Sequence, residues 1–236
     1  MSNKGTIYLI PSTLGETSLE KVLPLYNTEI IKEIRYFVVE ELKTARRFLK
    51  SCDKTIDIDE LTFYELNEHS DIQNIEHLII PATQGMNIGL ISEAGCPAVA
   101  DPGSELVALA HKKGIRVVPL VGPSSILLAL MASGMNGQNF SFVGYLPMKD
   151  ERRKTIKNLE SISKQKNQTQ IFIETPYRNQ QMFDDIIQTC NPETLLCVAS
   201  NITASDEYIV TKPVKEWKHI KVPLHKVPAI FLLYCK

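Results

Sequence analysis

The stretch "GLISEAGCPAVADPG" occupies residues 89–103 of the sequence. It begins like a buried strand and then turns to small residues, two prolines and two acids where a helix would be expected to start. Gly95, Ala98 and Gly103 are all small, which lets the backbone approach another group closely. Two further segments have the same character, "IPSTLGE" (10–16) and "PLVGPSSI" (119–126). Each alone is compatible with a tight turn. Three together favour a shared ligand pocket, because ligands of open α/β sheets bind at the carboxyl ends of strands.

On both sides of this stretch, predicted strands and helices alternate along the chain. Residues 5–11, 35–41, 87–92 and 115–120 form short apolar runs typical of buried strands. Helical spacing follows at 18–34, 42–52, 71–81, 104–114 and 123–134. The alternation predicts an α/β fold with a mostly parallel sheet and helices on both faces.

The second half of the chain has a different pattern. Residues 148–168 are the most polar stretch and predict an exposed helix that leaves the first domain. Four strand-like runs follow with one clear helix among them, which predicts an antiparallel or mixed sheet. We therefore expect two α/β lobes, residues 1–146 and 147–236, with a cleft between them.

Composition limits the possible function classes. The chain has 236 residues with 26 basic and 27 acidic side chains, so no global positive field marks a protein that coats duplex nucleic acid. A local basic patch remains possible. Its five cysteines lack metal-ligand spacing, which argues against a zinc site or a disulfide framework. The sequence has neither a secretion signal nor a run of roughly 20 apolar residues. We expect a cytoplasmic protein without a membrane span.

Several segments together carry a family resemblance. "LISEAGCPAVADPG", "RVVPLVGPSSI", "FVGYLP" and "FIETPYR" resemble the tetrapyrrole methylase superfamily, and within it the small-subunit ribosomal RNA methyltransferases that modify a cytidine ribose 2'-hydroxyl. The resemblance extends over nearly the whole chain. It implies a two-domain α/β methyltransferase, commonly a homodimer, that binds S-adenosylmethionine in the cleft between its lobes.

The resemblance also implies which residues contact the cofactor. In relatives from the wider superfamily, the segment at Gly95 reads Gly-Asp-Pro, and Cys96 replaces the acid, as is usual for the ribosomal RNA branch. For Glu174 a second role stays open, because its carboxylate could equally pair with Arg178 as a structural contact. The full set of implied cofactor contacts is Leu14, Gly15, Gly95, Cys96, Pro97, Val99, Ser125, Ile126, Glu174, Thr175, Pro228 and Ala229.

Methyl transfer from a sulfonium requires alignment and exclusion of water, and it needs no metal. A ribose hydroxyl is a poor nucleophile, so a general base should lie close to it. The matching stretch of the resembled branch reads Glu-Asp-Thr-Arg, two residues, then Arg-Arg, whereas residues 40–47 here read "EELKTARR". Glu40 or Glu41 is the candidate catalytic base. The candidate phosphate-binding residues are Lys43, Arg46 and Arg47, although a solvated helix face explains them equally well. His69 is a weaker candidate for substrate contact.

The sequence thus predicts an S-adenosylmethionine-dependent methyltransferase that acts on an RNA 2'-hydroxyl. Two alternatives stay open. One is methylation of a small molecule such as a tetrapyrrole, and the other is a non-catalytic relative that binds S-adenosylmethionine or RNA, which the altered 40–47 motif favours. The resembled branch often continues into a small helical domain beyond the point that corresponds to Lys236, which also leaves the substrate open.

Overall fold

The structure, a computed structural model, describes residues 4–67 and 75–235. The chain forms two compact units, Met1–Ser124 and Ser125–Lys236. None of the described helices is long and apolar enough to cross a membrane.

The first unit contains a five-stranded parallel sheet. Its strands are β1 (Thr6–Ile10), β2 (Tyr36–Val39), β3 (Thr62–Glu65), β4 (Ile88–Ile91) and β5 (Arg116–Pro119), in the order β3-β2-β4-β1-β5. Each neighbouring pair of these strands is parallel. The central strand β4 is buried at every residue, as expected for a strand covered on both faces. This confirms the predicted mostly parallel sheet.

Helices cover both faces of this sheet. They are α1 (Leu19–Val22), α2 (Leu25–Glu33), α3 (Leu42–Cys52), α4 (Ile80–Thr83) and α5 (Ser104–Lys112), with short 3-10 turns at Ile58–Glu60 and Glu76–Ile79. Ile7 packs with Leu106 of α5 in one core, and Ile10 packs with Ile31 of α2 and Leu49 of α3 in the other. Successive strand residues point to opposite faces, so β1 contributes to both cores.

Proline changes two of the predicted helices. Pro24 separates α1 from α2 and occupies the N-cap of α2, so the single helix predicted over 18–34 is wrong. Pro81 lies in the first turn of α4 rather than at the end of a helix. Both outcomes follow from the missing N–H of proline, which is tolerated at a helix start and disruptive further along.

The second unit contains a mixed sheet, as predicted. Its strands are β6 (Phe140–Tyr145), β7 (Thr169–Ile173), β8 (Leu195–Ser200), β9 (Tyr208–Pro213) and β10 (Ala229–Tyr234), in the order β6-β7-β10-β8-β9. The β6–β7 pair is parallel, and the other neighbouring pairs of these strands are antiparallel. The helices are α6 (Ser125–Ser133), α7 (Asp150–Lys166), α8 (Asn179–Thr189) and α9 (Val214–Trp217).

Two predictions about this unit need correction. The boundary lies before α6 and not at residue 146, because β6 pairs with β7 and the Thr211 hydroxyl of β9 donates to Ser133 O at 2.8 Å. The polar helix α7 is also not fully exposed, since Ile156 and Leu159 on one of its faces join the core of this unit.

Candidate functional site

Three strand-end loops of the first unit meet at the carboxyl edge of its sheet. Ser12, after β1, donates its backbone N–H to Gly95 O at 3.0 Å and its hydroxyl to Ser92 O at 3.2 Å. Cys96, after β4, places its Sγ 3.4 Å from the carbonyl oxygen of Pro123, which follows β5. The three segments singled out in the sequence are therefore in direct contact with one another.

Gly95 shows why this edge requires small residues. Its φ is +77°, a conformation that favours glycine. A Cβ at this position would lie 3.0 Å from Leu14 Cδ2 and 3.3 Å from Pro123 O. Even an alanine here would be strained in its backbone and would require Leu14 Cδ2 and Pro123 O to shift by a few tenths of an ångström.

Three further residues of the loop after β4 have positive φ angles. Ala98 and Ala100 have φ values of +63° and +64°, and Gly103 has a φ of +126°. An L-residue in the left-handed region costs roughly 1–2 kcal/mol, and such strain concentrates at functional sites. The alanines therefore indicate that this backbone path is maintained for a purpose other than stability.

A groove of about 510 Å³ opens at the same edge, at the ends of β1, β2 and β4. Leu14, Gly15, Glu40, Glu41 and Arg47 of the predicted site residues line it.

The other predicted substrate contacts do not line this groove. The Arg46 guanidinium lies 5.5 Å from the centroid of the Phe63 ring, and Lys43 is exposed at the start of α3. Arg47 is therefore the basic residue of this helix that is placed to contact a groove ligand. His69 lies outside the described residues.

The two candidate bases have different environments. Glu41 is the N-cap of α3 and accepts hydrogen bonds from the backbone N–H of Lys43 at 3.0 Å and of Thr44 at 2.6 Å, and from the Thr44 hydroxyl. These bonds, the one from the Thr44 hydroxyl above all, hold the pKa of Glu41 below its usual range. Glu40 accepts a longer bond from Glu93 N at 3.4 Å. Glu41 is a structural cap, and Glu40 is the better candidate base.

Asp101 is a further acidic group at this edge, near Glu40 and Glu93. Burial, and next the neighbouring Glu40 carboxylate, raise the pKa of Asp101 to about 6. Burial and the charge of Asp101 in turn raise the pKa of the Cys96 thiol. A carboxyl with a pKa near neutrality suits proton transfer, and carboxyls of this kind concentrate at functional sites. Sequence reasoning assigned Asp101 no role, although it is one of the two acids within residues 89–103.

In the second unit, Glu174 is the centre of a buried charge network. Its carboxylate accepts from Arg152 Nη2 at 2.8 Å, Arg178 Nη2 at 2.7 Å and the backbone N–H of Thr175 at 2.7 Å. Arg152, which is 1% exposed, also donates to Asp185 at 3.2 Å. The structural pairing with Arg178 that the sequence left open is thus present.

The remaining predicted cofactor contacts lie on three elements of the two units. Pro97 and Val99 belong to the loop after β4, and Ser125 and Ile126 form the first turn of α6. Ile173 of β7 pairs with Ile230 of the antiparallel β10. This pairing places the segment with Glu174 and Thr175 and the segment with Pro228 and Ala229 at the same edge of the second sheet.

This combination of fold and loop arrangement defines a class of enzyme. Residues 20–218 match the family described as Tetrapyrrole (Corrin/Porphyrin) Methylases. The chain belongs to this family and is a methyltransferase.

Particular relatives narrow the comparison. The chain is 30% identical over 212 residues to "Ribosomal RNA small subunit methyltransferase I" of Vibrio cholerae, which covers 89% of this chain and 69% of the relative. It is 34% identical to the protein of that name from Halalkalibacterium halodurans over 186 residues. This aligned segment covers 78% of this chain and 60% of the relative.

Solved structures support the fold. The crystal structure of the methyltransferase CobJ superposes with a TM-score of 0.64 at 16% identity, covering 99% of this chain and 94% of CobJ. The uroporphyrin-III-C-methyltransferase of Thermus thermophilus gives a TM-score of 0.54 at 16% identity, covering 98% and 92%.

Proposed function

We propose that this chain transfers the methyl group of S-adenosylmethionine to a ribose 2'-hydroxyl of ribosomal RNA. The observation that carries the proposal is the contact of three strand-end loops at Gly95, beside a groove lined by Glu40 and Arg47. The similarity to ribosomal RNA small subunit methyltransferase I supports RNA as the acceptor.

The loops of the first unit fit such a cofactor. The backbone at Gly95 is pressed against Leu14 and Pro123, whereas a Cβ at Gly15 would meet no atom within 4 Å, so this glycine leaves room for a ligand. When bound, S-adenosylmethionine supplies a methyl group on a positively charged sulfonium. The acidic side chains Glu40, Glu93 and Asp101 at this edge favour a cation.

The proposal includes all the cofactor contacts that the family resemblance implies. Main chain at Leu14, Gly15, Gly95, Cys96, Pro97 and Val99 would hold the cofactor in the first unit. In the second unit Ser125 and Ile126 offer backbone N–H groups at the first turn of α6, where negatively charged groups are favoured. Thr175, Pro228 and Ala229 would contribute main-chain contacts. Glu174 would do the same, because its carboxylate is already paired with Arg152 and Arg178.

The acceptor chemistry needs two further groups of the chain. The Glu40 carboxylate would accept the proton of the ribose hydroxyl as that oxygen is methylated. Arg47, exposed on α3 and lining the same groove, would hold a phosphate of the acceptor strand.

Incubation of the purified protein with methyl-labelled S-adenosylmethionine and unmethylated small ribosomal subunits tests the proposal. We expect label in RNA that maps to one ribose. Label in a tetrapyrrole precursor in place of RNA would establish the small-molecule alternative. Cofactor binding by calorimetry without transfer to either acceptor would establish the non-catalytic alternative.

Two variants test the placement of the sites. Ser125→Trp should abolish the calorimetric signal with S-adenosylmethionine while the circular dichroism spectrum is unchanged. Arg47→Glu should weaken binding of the ribosomal subunit at unchanged cofactor affinity. Normal cofactor binding by the first variant would show that α6 does not border the cofactor, and unaltered kinetics of the second would show that Arg47 is only solvated.

A homodimer and a cytoplasmic location are also part of the proposal, because the family resemblance implies the first and a ribosomal RNA acceptor implies the second. Sedimentation velocity of the purified protein tests the oligomeric state, and a single species at the monomer mass would contradict the proposed homodimer.

A further inference from the structure

An exposed tyrosine lies among cations in the second unit. Tyr177, in the loop after β7, is 69% exposed. The Lys226 ammonium lies 5.6 Å from the centroid of its ring, and the His225 ring lies at 6.2 Å with an interplanar angle of 81°. A large aromatic side chain that remains this exposed beside positive groups matches the stacking platforms of proteins that bind single-stranded nucleic acid.

Buried contacts fix the loop that carries this ring. The Glu174 carboxylate accepts from Thr175 N and from the Arg178 side chain, both at 2.7 Å, and Arg178 N donates to Thr175 O at 2.9 Å to close a turn. Lys226 N donates to Pro176 O at 2.9 Å, which ties the Lys226 loop to the Tyr177 loop. The backbone that carries the ring is therefore held in place before any ligand binds, which lowers the entropy lost on binding.

The surrounding segment is strongly basic. Residues 215–226 contain four lysines and two histidines against one acid, Glu216, although the whole chain has a net charge of −1. Lys218 and Lys221 are exposed and line a groove of about 650 Å³ with an apolar floor that includes Phe183 and Ile187. Within the part of the chain that the structure describes, neither lysine has a carboxylate within 4.0 Å.

We infer that Tyr177, with His225 and Lys226 beside it, binds a single-stranded segment of the RNA acceptor, with one base stacked on Tyr177, a neighbouring phosphate held by Lys226 and further attraction from the positive charge of residues 215–226. The inference rests on the proposed function for the identity of the acceptor. An acidic polypeptide would satisfy the lysines but would leave the aromatic ring exposed, whereas every RNA base offers a flat face to it.

Two substitutions at Tyr177 separate stacking from other effects. Tyr177→Ala should weaken binding of a single-stranded oligouridylate and of the small ribosomal subunit by roughly 5- to 100-fold. Tyr177→Trp should retain affinity, because tryptophan also stacks. Tyr26→Ala, at a tyrosine on α2 that is 56% exposed, is the matched control and should bind as the wild type does.

A second measurement tests the lysines. In Lys226→Gln the slope of log K against log salt should fall by about 0.7, the value for one phosphate contact to a single strand. The maximal rate of methyl transfer should change little in both variants while the KM for the ribosomal subunit rises. An unchanged salt slope for Lys226→Gln would remove this lysine from the interface.

Other outcomes would overturn the inference. Equal binding of Tyr177→Ala and wild type to oligouridylate would refute it while the proposed function stands. A loss of S-adenosylmethionine affinity in Tyr177→Ala, with RNA affinity unchanged, would show that the ring contacts the cofactor. Competition by polyglutamate as strong as by oligouridylate would refute the assignment to RNA. RNA binding without methyl transfer by the wild-type protein would refute the proposed function and leave the stacking surface intact.

Discussion

The buried arginine of α7 offers the sharpest test of the packing of the second unit. Arg152 is 1% exposed and donates to Glu174 at 2.8 Å, to Asp185 at 3.2 Å and to the Pro147 carbonyl at 3.3 Å. Methionine is an apolar side chain that can fill much of the same space but cannot make these bonds. Removing one partner of a buried ion pair costs about 3–5 kcal/mol, because the remaining charge stays out of water. For a chain of this length that corresponds to a fall in Tm of about 6–20 °C.

Thermal unfolding followed by circular dichroism measures this effect. Arg153→Met is the matched control, because Arg153 bonds the same Asp185 at 2.9 Å while its side chain is 55% exposed, and an exposed pair contributes about 1 kcal/mol or less. Adding Glu174→Gln to Arg152→Met should lower Tm further, because Arg178 still pairs with Glu174 at 2.7 Å in the single variant and would lose that partner. A Tm of Arg152→Met within about 1 °C of the wild-type value would refute the reasoning.

The effect of Arg152→Met should also depend on pH. Burial alone would raise the pKa of Glu174, but the hydrogen bonds from Arg178 and Thr175 hold it below its ordinary value of 4.5. A carboxyl with a lowered folded-state pKa stabilises the protein above its unfolded pKa, and this contribution is lost as the pH falls through the folded value. The difference in Tm between wild type and Arg152→Met should therefore narrow below about pH 4.5 and be constant near neutrality.

Three further predictions concern the loops and acidic residues at the carboxyl edge of the first unit's sheet. Gly95→Ala should lower Tm by about 2–8 °C and weaken S-adenosylmethionine binding, whereas Gly134→Ala, at φ +69° with open space around it, should show backbone strain alone and bind normally. In single-turnover assays at saturating S-adenosylmethionine, Glu40→Gln should slow methyl transfer roughly 100-fold or more, while Glu41→Gln should lower Tm with little loss of rate. Asp101 has a raised folded-state pKa, so it binds its proton more tightly in the folded protein, and the protein loses stability as the pH rises from about 4 to 6. Asp101→Asn should remove this loss of stability and should therefore raise Tm above pH 6.

Local sequence signals were sufficient for most of the fold. The run at 87–92 became the fully buried β4, as expected for a sheet covered on both faces, and the run at 115–120 became the edge strand β5, whose residues are half-buried or exposed. The boundary between the units was not accessible in this way. The stretch from α6 to β6 continues the strand–helix alternation of the first unit, and only the pairing of β6 with β7 shows that it belongs to the second. Strand pairing is a long-range property that periodicity does not contain.

The site was predicted at the level of backbone and less well at the level of side chains. Small residues after β1, β4 and β5 identified the meeting point of the loops, since glycine and alanine report directly on how closely main chain can approach. The directions of Arg46 and Arg47 could not be read in the same way. The two are consecutive on α3, and a rotation of about 100° per residue sends Arg46 to the Phe63 ring and Arg47 to the groove.

Carboxylates show why a motif position does not by itself identify a base. Glu41 and Glu174 both stand at positions that the family resemblance marks as functional, yet both are occupied by N–H donors of the protein, and both have lowered pKa values. A carboxylate that is stabilised in its charged form by fixed donors is a weak proton acceptor. Glu40 accepts a long hydrogen bond from a backbone N–H and lies near a second carboxyl, Asp101, whose pKa of about 6 its charge helps to raise. Mutual repulsion between two carboxylates favours the uptake of a proton, so the general base of this enzyme should be sought in the Glu40–Asp101 pair and not at the helix cap beside it.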